Sequence, residues 1–308
     1  MKNLKHNLLV VLGPTASGKT RLGARLAHRF GGEVVSADSR QVYRGLNIGA
    51  GKDLADYEVD GVAVPHHLID IVDLDVEFSV FDYQKRCYHV IEALWQRDML
   101  PVLVGGTGLY IESVLRGYRM VEAPENPVLR AELAELPLKG LAARLYGLRE
   151  KVHNVTDLRD RDRLVRAIEI AEHAKTHEAE PSPEIRPLIL GTRWDRETLR
   201  GRIHTRLLHR FNEGMIDEVQ ALHNQGVSWE KLDFLGLEYR YIGQFLQGAI
   251  KNQNDLVQKL SSAICQFAKR QETWFRRMER NGTAIHWIDE ADYDAAAKVV
   301  AKSGITTG

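Results

Sequence analysis

The sequence predicts an α/β fold: a parallel sheet with flanking helices, interrupted by a helical insertion domain. Three observations carry this expectation. Between residues 8 and 117, short apolar runs alternate with amphipathic helical stretches, the pattern of parallel strands joined by helical crossovers. A glycine-rich loop, "GPTASGKT", joins the first run to the first helix. From residue 118 to 185 strand signals stop while helical periodicity continues, before a strand returns at 186–194. The expected division is therefore a core formed by residues 1–117 and 186–308, with residues 118–185 as the insertion.

The elements follow in order. "NLLVVLG" is a short β-rich run bounded by Gly13 and Pro14, a buried strand. "GKTRLGARLAHRF" sets Leu22, Leu26 and Phe30 at helical spacing, so a helix starts near Gly18. "GGEVVSAD" is a second strand ending at Asp38, and "HHLIDIV" a third. "FSVFDYQKRCYHVIEALWQRD" places Tyr83, Cys87, Val90, Ile91 and Leu94 on one helix face. "MLPVLVGG" is a fourth strand, followed by the short helix "GLYIESVLRG" closed at Gly117. In the insertion, prolines at 124, 127, 137, 181 and 183 punctuate helical segments. After "RPLILGTRW" come two long helical stretches, "DRETLRGRIHTRLLHRFNEGMIDEVQALHNQG" and "NDLVQKLSSAICQFAKRQETWFRRMERNG". "TAIHWID" reads as a last strand, and the final "AKSGITTG" as frayed.

Composition narrows the class. Of 308 residues 44% are hydrophobic, enough for a real core, and 42 Lys plus Arg balance 42 Asp plus Glu. Neutrality argues against a uniformly basic nucleic-acid binder but leaves room for a local basic patch. Cys87 and Cys265 stand far apart without CxxC or Cys/His spacing, so neither a disulfide framework nor a zinc site is expected. The reading is two buried free thiols. The apolar run of the N-terminus leads into the glycine-rich loop rather than a cleavage site, and no stretch approaches the ~18 apolar residues of a membrane span. A cytoplasmic protein with no membrane association is expected.

"GPTASGKT" satisfies GxxxxGK[ST] with a strand before it and a helix after it, the context that the motif requires. The core is thus expected to be P-loop-containing nucleoside triphosphate hydrolase-like. Glycines let successive backbone N–H groups converge, and the helix N-terminus adds partial positive charge. Lys19 brings a full charge. Thr20, with Ser17 as a second candidate, can offer a hydroxyl to Mg2+. Such a loop recognises a di- or triphosphate and is silent on what carries it. A motor or switch ATPase would place a metal-binding Asp at the end of an apolar strand. Here "MLPVLVGGTG" ends in glycines and a threonine, while "HLIDIVD" offers Asp70 and Asp73.

Three further features have more than one reading. Asp38 and Ser39 sit at a strand's carboxyl end, where open α/β sheets bind ligands. A carboxylate there can act as a base, or it can cap a helix. Thr107 in "GGTGLY" can face a ligand in the same crevice, or sit in an ordinary strand-to-helix turn. Arg202, Arg206 and Arg210 recur every four residues and stripe one helix face, either as a solvated surface or as an anion site.

"GPTASGKT", "SADSRQVYRGLNIGAGK", "PHHLIDI", "LVGGTGLYI", "DRLVRAIE" and "GLEYRY" occur in this order. Together they resemble the bacterial tRNA dimethylallyltransferase, or delta(2)-isopentenylpyrophosphate transferase, family from about residue 8 to residue 280. The resemblance implies transfer of a dimethylallyl group from dimethylallyl diphosphate to the exocyclic amine of the adenosine 3′ of a tRNA anticodon. Pyrophosphate would leave. It implies that the loop from Gly13, Pro14, Thr15, Ala16, Ser17 and Gly18 to Lys19 and Thr20 holds the donor diphosphate rather than ATP, with Mg2+ on Thr20. It implies Asp38 as the base that takes the amine's proton, Thr107 near the same acceptor, and Arg206 with Lys19 on the diphosphate.

For the RNA, the resemblance implies contacts from Asp38, Ser39, Arg40 and Gln41, from Thr107, and from Arg130. It adds the start of an insertion helix, Asp162, Arg163, Leu164, Val165 and Arg166. It also adds the block Leu235, Gly236, Leu237, Glu238, Tyr239 and Arg240. The partners implied are tRNA, through its anticodon stem-loop, and the allylic donor, with no obligate protein partner. Two features depart from the family pattern. Glu238 stands where many members have a small residue or glycine, and the insertion is short, with an abbreviated "LPLKGLAARLYGLREKVHNVTDLRD". "AKRQETWFRRMER" reads either as a further basic RNA face or as an amphipathic core helix. A P-loop small-molecule kinase and an adenylate-type isopentenyltransferase are the alternatives.

Overall fold

The computed structural model describes residues 5–148 and 160–305. The chain divides into two compact units, one formed by Met1–Arg116 with Glu184–Gly308, the other by Gly117–Pro183.

The larger unit is built on a six-stranded parallel sheet. Its strands are β1 (Leu8–Leu12), β2 (Gly32–Ala37), β5 (His66–His67), β6 (Leu100–Gly105), β7 (Pro187–Arg193) and β8 (His286–Asp289). The spatial order is β5-β2-β6-β1-β7-β8. A two-stranded antiparallel ribbon, β3 (Glu58–Val59) with β4 (Val62–Ala63), stands apart. β1 pairs with β6 on one side (Val10 beside Leu103) and with β7 on the other (Val10 beside Ile189). "LLVVL" is apolar at every position because a central parallel strand is covered on both faces. Alternation then divides it: Leu9 and Val11 enter one core, Leu8, Val10 and Leu12 the other.

The first core is covered by α1 (Lys19–Arg29) and α12 (Tyr293–Ser303), through Leu22, Leu26, Ala297 and Val300. The second is covered by α2 (Val80–Gln96), α3 (Gly108–Arg116) and the distal half of α11 (Gln253–Arg280), through Tyr83, Ile91, Ile111 and Phe275. α2 starts at a reciprocal capping box between Ser79 and Asp82, which satisfies two otherwise orphaned donors. A third core lies among α7 (Arg196–Asn212), α8 (Met215–Asn224), α9 (Trp229–Leu235), α10 (Leu237–Leu246) and α11, joined by Val42, Tyr43 and Leu46.

The insertion carries α4 (Pro127–Ala134), α5 (Leu138–Leu148) and α6 (Arg161–His173) around Leu133, Leu141, Leu145, Leu164 and Ile168. Residues 149–159, the end of the abbreviated stretch, lie outside the described residues.

Several sequence expectations change. "HHLIDIV" supplies only two strand residues, because Leu68 and Asp70 have positive φ and break the extended run. The stretch after Asp195 is two helices rather than one, split at Gly214, whose φ of 94° no helix interior accepts. The C-terminal tail is not frayed where described: residues 301–303 close α12 and Ile305 is buried, while residues 306–308 lie outside the described residues. Of the two free thiols only Cys87 is buried; Cys265 is half-buried.

Candidate active site

The phosphate loop follows directly from β1. Ala16 has φ 61° and Gly18, the N-cap of α1, has φ 83°. Two left-handed residues so close together turn consecutive N–H groups toward one point, a backbone nest at a helix N-terminus. The loop is held from distant parts of the chain. The Thr15 N–H donates to Gln271 Oε1 (2.8 Å), and Gln271 Nε2 donates to the Gly106 carbonyl (2.9 Å). Thr192 Oγ1 donates to Ser17 Oγ (2.7 Å), and Trp194 Nε1 donates to the Ser17 carbonyl (2.9 Å). Ser17 is fully buried in this bond, so it is a clamp of the loop and not a second metal hydroxyl.

Lys19 Nζ donates to the Pro14 carbonyl at 3.1 Å. Burial lowers its pKa to about 8, and Arg206 and Arg210 push in the same direction against Asp38 and Asp53. Desolvation and neighbouring cations both destabilise the ammonium, more than the two carboxylates stabilise it.

The two strand ends beside the loop bring Asp38 and Thr107 together. Asp38 Oδ1 accepts the Arg40 N–H at 2.9 Å, and Thr107 Oγ1 accepts the Ser39 N–H at 3.1 Å. Asp38 therefore closes a turn and caps no helix. The Thr107 N–H donates to the Ala37 carbonyl (3.2 Å), which stitches the two strand ends to each other. Asp38 and Thr107 line one cleft of about 1650 Å³ together with Thr15–Thr20, Arg206 and Arg210.

The arginine stripe of α7 lines this cleft. Arg202 Nε donates to the Ala16 carbonyl (2.9 Å), with its guanidinium 4.1 Å from the Trp194 ring centre. Arg206 reaches Thr15 Oγ1 at 3.5 Å through Nη1 and Asp53 Oδ2 at 2.5 Å through Nη2. Arg210, 7% exposed, shares the same carboxylate at 3.5 Å. Its pKa is lowered by burial and by Arg206, against the pull of Asp53 and Glu238.

Asp53 sits at the end of a loop anchored from α8. One carboxylate, Glu218, accepts three successive N–H groups, Asn47 (3.1 Å), Ile48 (2.7 Å) and Gly49 (3.0 Å), and the Tyr239 hydroxyl (2.9 Å). Lys52, buried, donates to the Tyr43 carbonyl and pairs with Asp70. Asp70 is thus committed to Lys52, and Asp73 to Arg44 at 3.1 Å, so neither serves as a metal carboxylate at the loop. The sequence carries no local signal for Gln271, Thr192, Asp53 or Glu218. Each is an ordinary polar residue whose partner lies over a hundred positions away, and only "NIGAGK", with its two glycines, signals a special loop at all.

The RNA-contact expectations divide. Ser39, Arg40, Gln41, Gly236, Leu237, Glu238 and Arg240 line the cleft. Gln41 uses its amide internally, accepting from Ser36 Oγ (2.9 Å) and donating to the Gly51 carbonyl (3.0 Å). Leu235 and Tyr239 are core residues, and so is Leu164 in the insertion, so these three side chains present nothing to a ligand. Glu238 does point into the cleft. Burial raises its carboxyl pKa, against Arg210, its own backbone N–H and Arg206, with Asp38 adding to the rise.

Within the insertion, Arg130 and Arg166 clamp Glu169: Arg130 Nε–Oε1 2.8 Å, Nη2–Oε2 3.0 Å, and Arg166 Nη1–Oε2 3.2 Å. Burial alone would raise the Glu169 pKa, but Arg130, the Asn126 N–H and Arg166 bring it down to about 2. Asp162 and Arg163 are exposed on the first turn of α6, with Val165 half-buried against the insertion core. In "AKRQETWFRRMER" Phe275 is core and Arg277 pairs with Glu112 (2.8 Å), so the core-helix reading describes its distal half.

A backbone nest with a lysine and two arginines shares its cleft with a carboxylate at the end of β2, the arrangement of a P-loop-type group transferase. The comparisons specify which. The IPP transferase family model matches residues 41–278, and the isopentenyl transferase model matches residues 6–64. The chain belongs to the IPP transferase family. It is 55% identical to tRNA dimethylallyltransferase 1 of Syntrophus aciditrophicus, over 95% of this chain and 96% of that protein. It is 58% identical to tRNA dimethylallyltransferase 2 of Syntrophotalea carbinolica, over 92% of this chain and 95% of that protein. Among solved structures, the full-length tRNA isopentenylpyrophosphate transferase of Bacillus halodurans superposes with a TM-score of 0.69 at 31% identity, covering 96% of this chain and 95% of that one. The P-loop-type α/β core expected from the sequence is the fold of this family.

Proposed function

We propose that this protein transfers the dimethylallyl group of dimethylallyl diphosphate to the exocyclic amine of the adenosine 3′-adjacent to a tRNA anticodon, giving isopentenyladenosine and pyrophosphate. The carrying observation is that the Lys19–Arg206 cradle and the Asp38–Thr107 strand ends share one cleft. A leaving diphosphate and the proton acceptor for the incoming amine are thereby provided for side by side.

The adenine amine is a weak nucleophile, so the reaction depends on the leaving group and on alignment. Charge grows on the diphosphate as the allylic carbon–oxygen bond breaks. The loop N–H groups, Lys19 and Arg206 meet that charge with dipoles and cations already oriented, so little reorganisation is needed. Asp38 accepts the amine proton through Oδ2, since Oδ1 is occupied by the Arg40 N–H. Thr107, fixed by the Ser39 N–H, can donate its hydroxyl hydrogen to the incoming base.

The residues fit Mg2+. Thr20 lines the cleft directly after Lys19, and a hard cation of this size needs few protein oxygens beyond phosphate and water. Among the described residues no cluster of three His, Cys, Asp or Glu offers an all-protein metal cage. Thr20 would hold the ion, which when bound neutralises diphosphate charge. tRNA is the acceptor in this reading, and its adenosine must leave the stack to reach Asp38, at a cost of a few kcal/mol.

The test is transfer itself. An anticodon stem-loop incubated with dimethylallyl diphosphate should yield isopentenyladenosine on nucleoside mass spectrometry, while adenylate should not be prenylated. ATP consumption with an untouched allylic donor would replace this reading with a kinase. Prenylation of free adenylate in preference to RNA would replace it with the adenylate-type transferase.

A further inference from the structure

Two aromatic side chains on the rim of the cleft are left unexplained by the core. Phe234, at the end of α9, is 54% exposed, and Phe267, on α11, is 38% exposed. Both line the cleft that holds Asp38 and the phosphate loop. Each has an arginine over its ring: Arg40 lies 5.6 Å from the Phe234 centre, and Arg270 lies 5.7 Å from the Phe267 centre. Three other arginines of the cleft are paired with carboxylates. Arg206 and Arg210 share Asp53, and Arg240 holds Asp233 at 2.8 Å. Among the described residues, neither Arg40 nor Arg270 has a carboxylate partner. Gly236, with φ 147°, ends α9 just after Phe234 and sets it at the rim beside Arg40.

An exposed ring beside an uncommitted guanidinium offers two flat faces and one positive charge. A nucleobase of any sequence stacks on such faces, and the adjoining phosphate meets the charge. An acidic, unpaired polymer satisfies both halves. A folded apolar partner would leave both cations uncompensated.

We propose that Phe234 with Arg40, and Phe267 with Arg270, form two stacking stations for the unpaired RNA bases flanking the nucleotide delivered to Asp38. This rests on the reading of the cleft as a site of prenyl transfer to RNA. Each station would hold a neighbour of the extracted base and so offset part of the unstacking cost.

Phe234→Ala and Phe267→Ala, singly and together, test it in the full chain. The probe is an anticodon stem-loop carrying 2-aminopurine next to the target adenosine. Each single variant should bind the stem-loop about tenfold more weakly, the scale of one lost base–aromatic stack, with reduced quenching of the 2-aminopurine. Inorganic pyrophosphate affinity and thermal midpoint should stay unchanged, because both rings are exposed and distant in role from the cradle. Phe→Trp should restore binding and Phe→Leu should not. Equal RNA affinity in wild type and double variant, while prenylation of the stem-loop proceeds, would overturn the stations and leave the function standing. Full rescue by Leu would overturn stacking in favour of a merely apolar contact. A wild-type protein that binds no stem-loop would overturn both. Loss of self-association in the variants at unchanged RNA affinity would assign the rim to a second copy of the chain and overturn the proposal.

Discussion

Arg206 and Arg210 in the larger unit share one carboxylate, Asp53, and Arg130 and Arg166 in the insertion share one as well, Glu169. The parts are alike and the outcomes opposite. Around Asp53 three cations, Lys19 among them, face the same cleft, and the lysine's pKa falls to about 8. Around Glu169 the carboxylate is the buried partner, 2% exposed, with every oxygen engaged, and its pKa falls to about 2. In the first cluster the buried partners are cations, Lys19 and Arg210, on the wall of an open cleft. The second is complete and holds a fold together. Pairing alone therefore does not separate a binding arginine from a structural one. What separates them is which partner is buried and whether it lines a cleft.

Among substitutions, the largest effect is expected beside the cleft. Asp38→Ala should lower kcat for stem-loop prenylation by roughly 10²–10⁴-fold, the usual contribution of a general base. Pyrophosphate binding and stability should be little changed. Turnover within a few-fold of wild type would remove Asp38 from the base role.

Glu169→Gln should do the reverse. It leaves two arginines against a half-satisfied amide and should destabilise the insertion by about 2–3 kcal/mol, read as a lower denaturant midpoint. Donor KM should not move. A donor KM that rises in this variant would mean that the second cluster is not purely structural.

Arg206→Ala removes a charge-assisted contact to the diphosphate and should raise donor KM roughly 10–100-fold, with kcat for saturated enzyme less affected. Glu218→Gln sharpens the point. It places an amide NH2 against N–H donors at Asn47–Gly49 and loosens the loop that carries Asp53. A rise in donor KM of about 3–10-fold, non-additive with Asp53→Asn, is expected on the scale of a lost hydrogen bond. Additive effects would show that Glu218 acts elsewhere.

The smallest effect is in pH. Lys19 is charged below about 8 and neutral above it, so donor KM should rise several-fold as pH climbs past that value. Because a bound anion favours the ammonium, binding near pH 8 should take up a proton, which calorimetry in buffers of different ionisation enthalpy measures. Glu169 has the opposite window: its folded pKa is lowered from 4.5 to about 2, so its stabilisation is full above 4.5 and fades as pH falls toward 2. Donor affinity that is flat from pH 7 to 9.5 would mean that Lys19 stays charged without its ligand.

Much of this was legible in the chain itself wherever the physics is local. "NLLVVLG" had to be a covered strand, because five consecutive apolar residues need both faces buried. "GPTASGKT" had to turn sharply between strand and helix with converging N–H groups, because its glycines act through contiguous backbone. The position of Asp38 at a strand end followed from "GGEVVSAD" in the same way. Family likeness carried Arg206 out of its stripe, since periodicity by itself fits a solvated face equally well.

Tertiary structure decided the rest. Nothing near Gln271, Thr192 or Glu218 in the sequence tells that they clamp the phosphate loop and the Asp53 loop, since each bond closes over more than 150 positions. It also settled that Arg210 is buried while Arg163 is exposed, and that Leu164 and Tyr239 belong to cores although their motifs resemble RNA contacts. Local pattern fixes backbone conformation because the forces involved act within a few residues. Charge balance, burial and partner identity are sums over everything that packs nearby, and these exist only once the chain has folded.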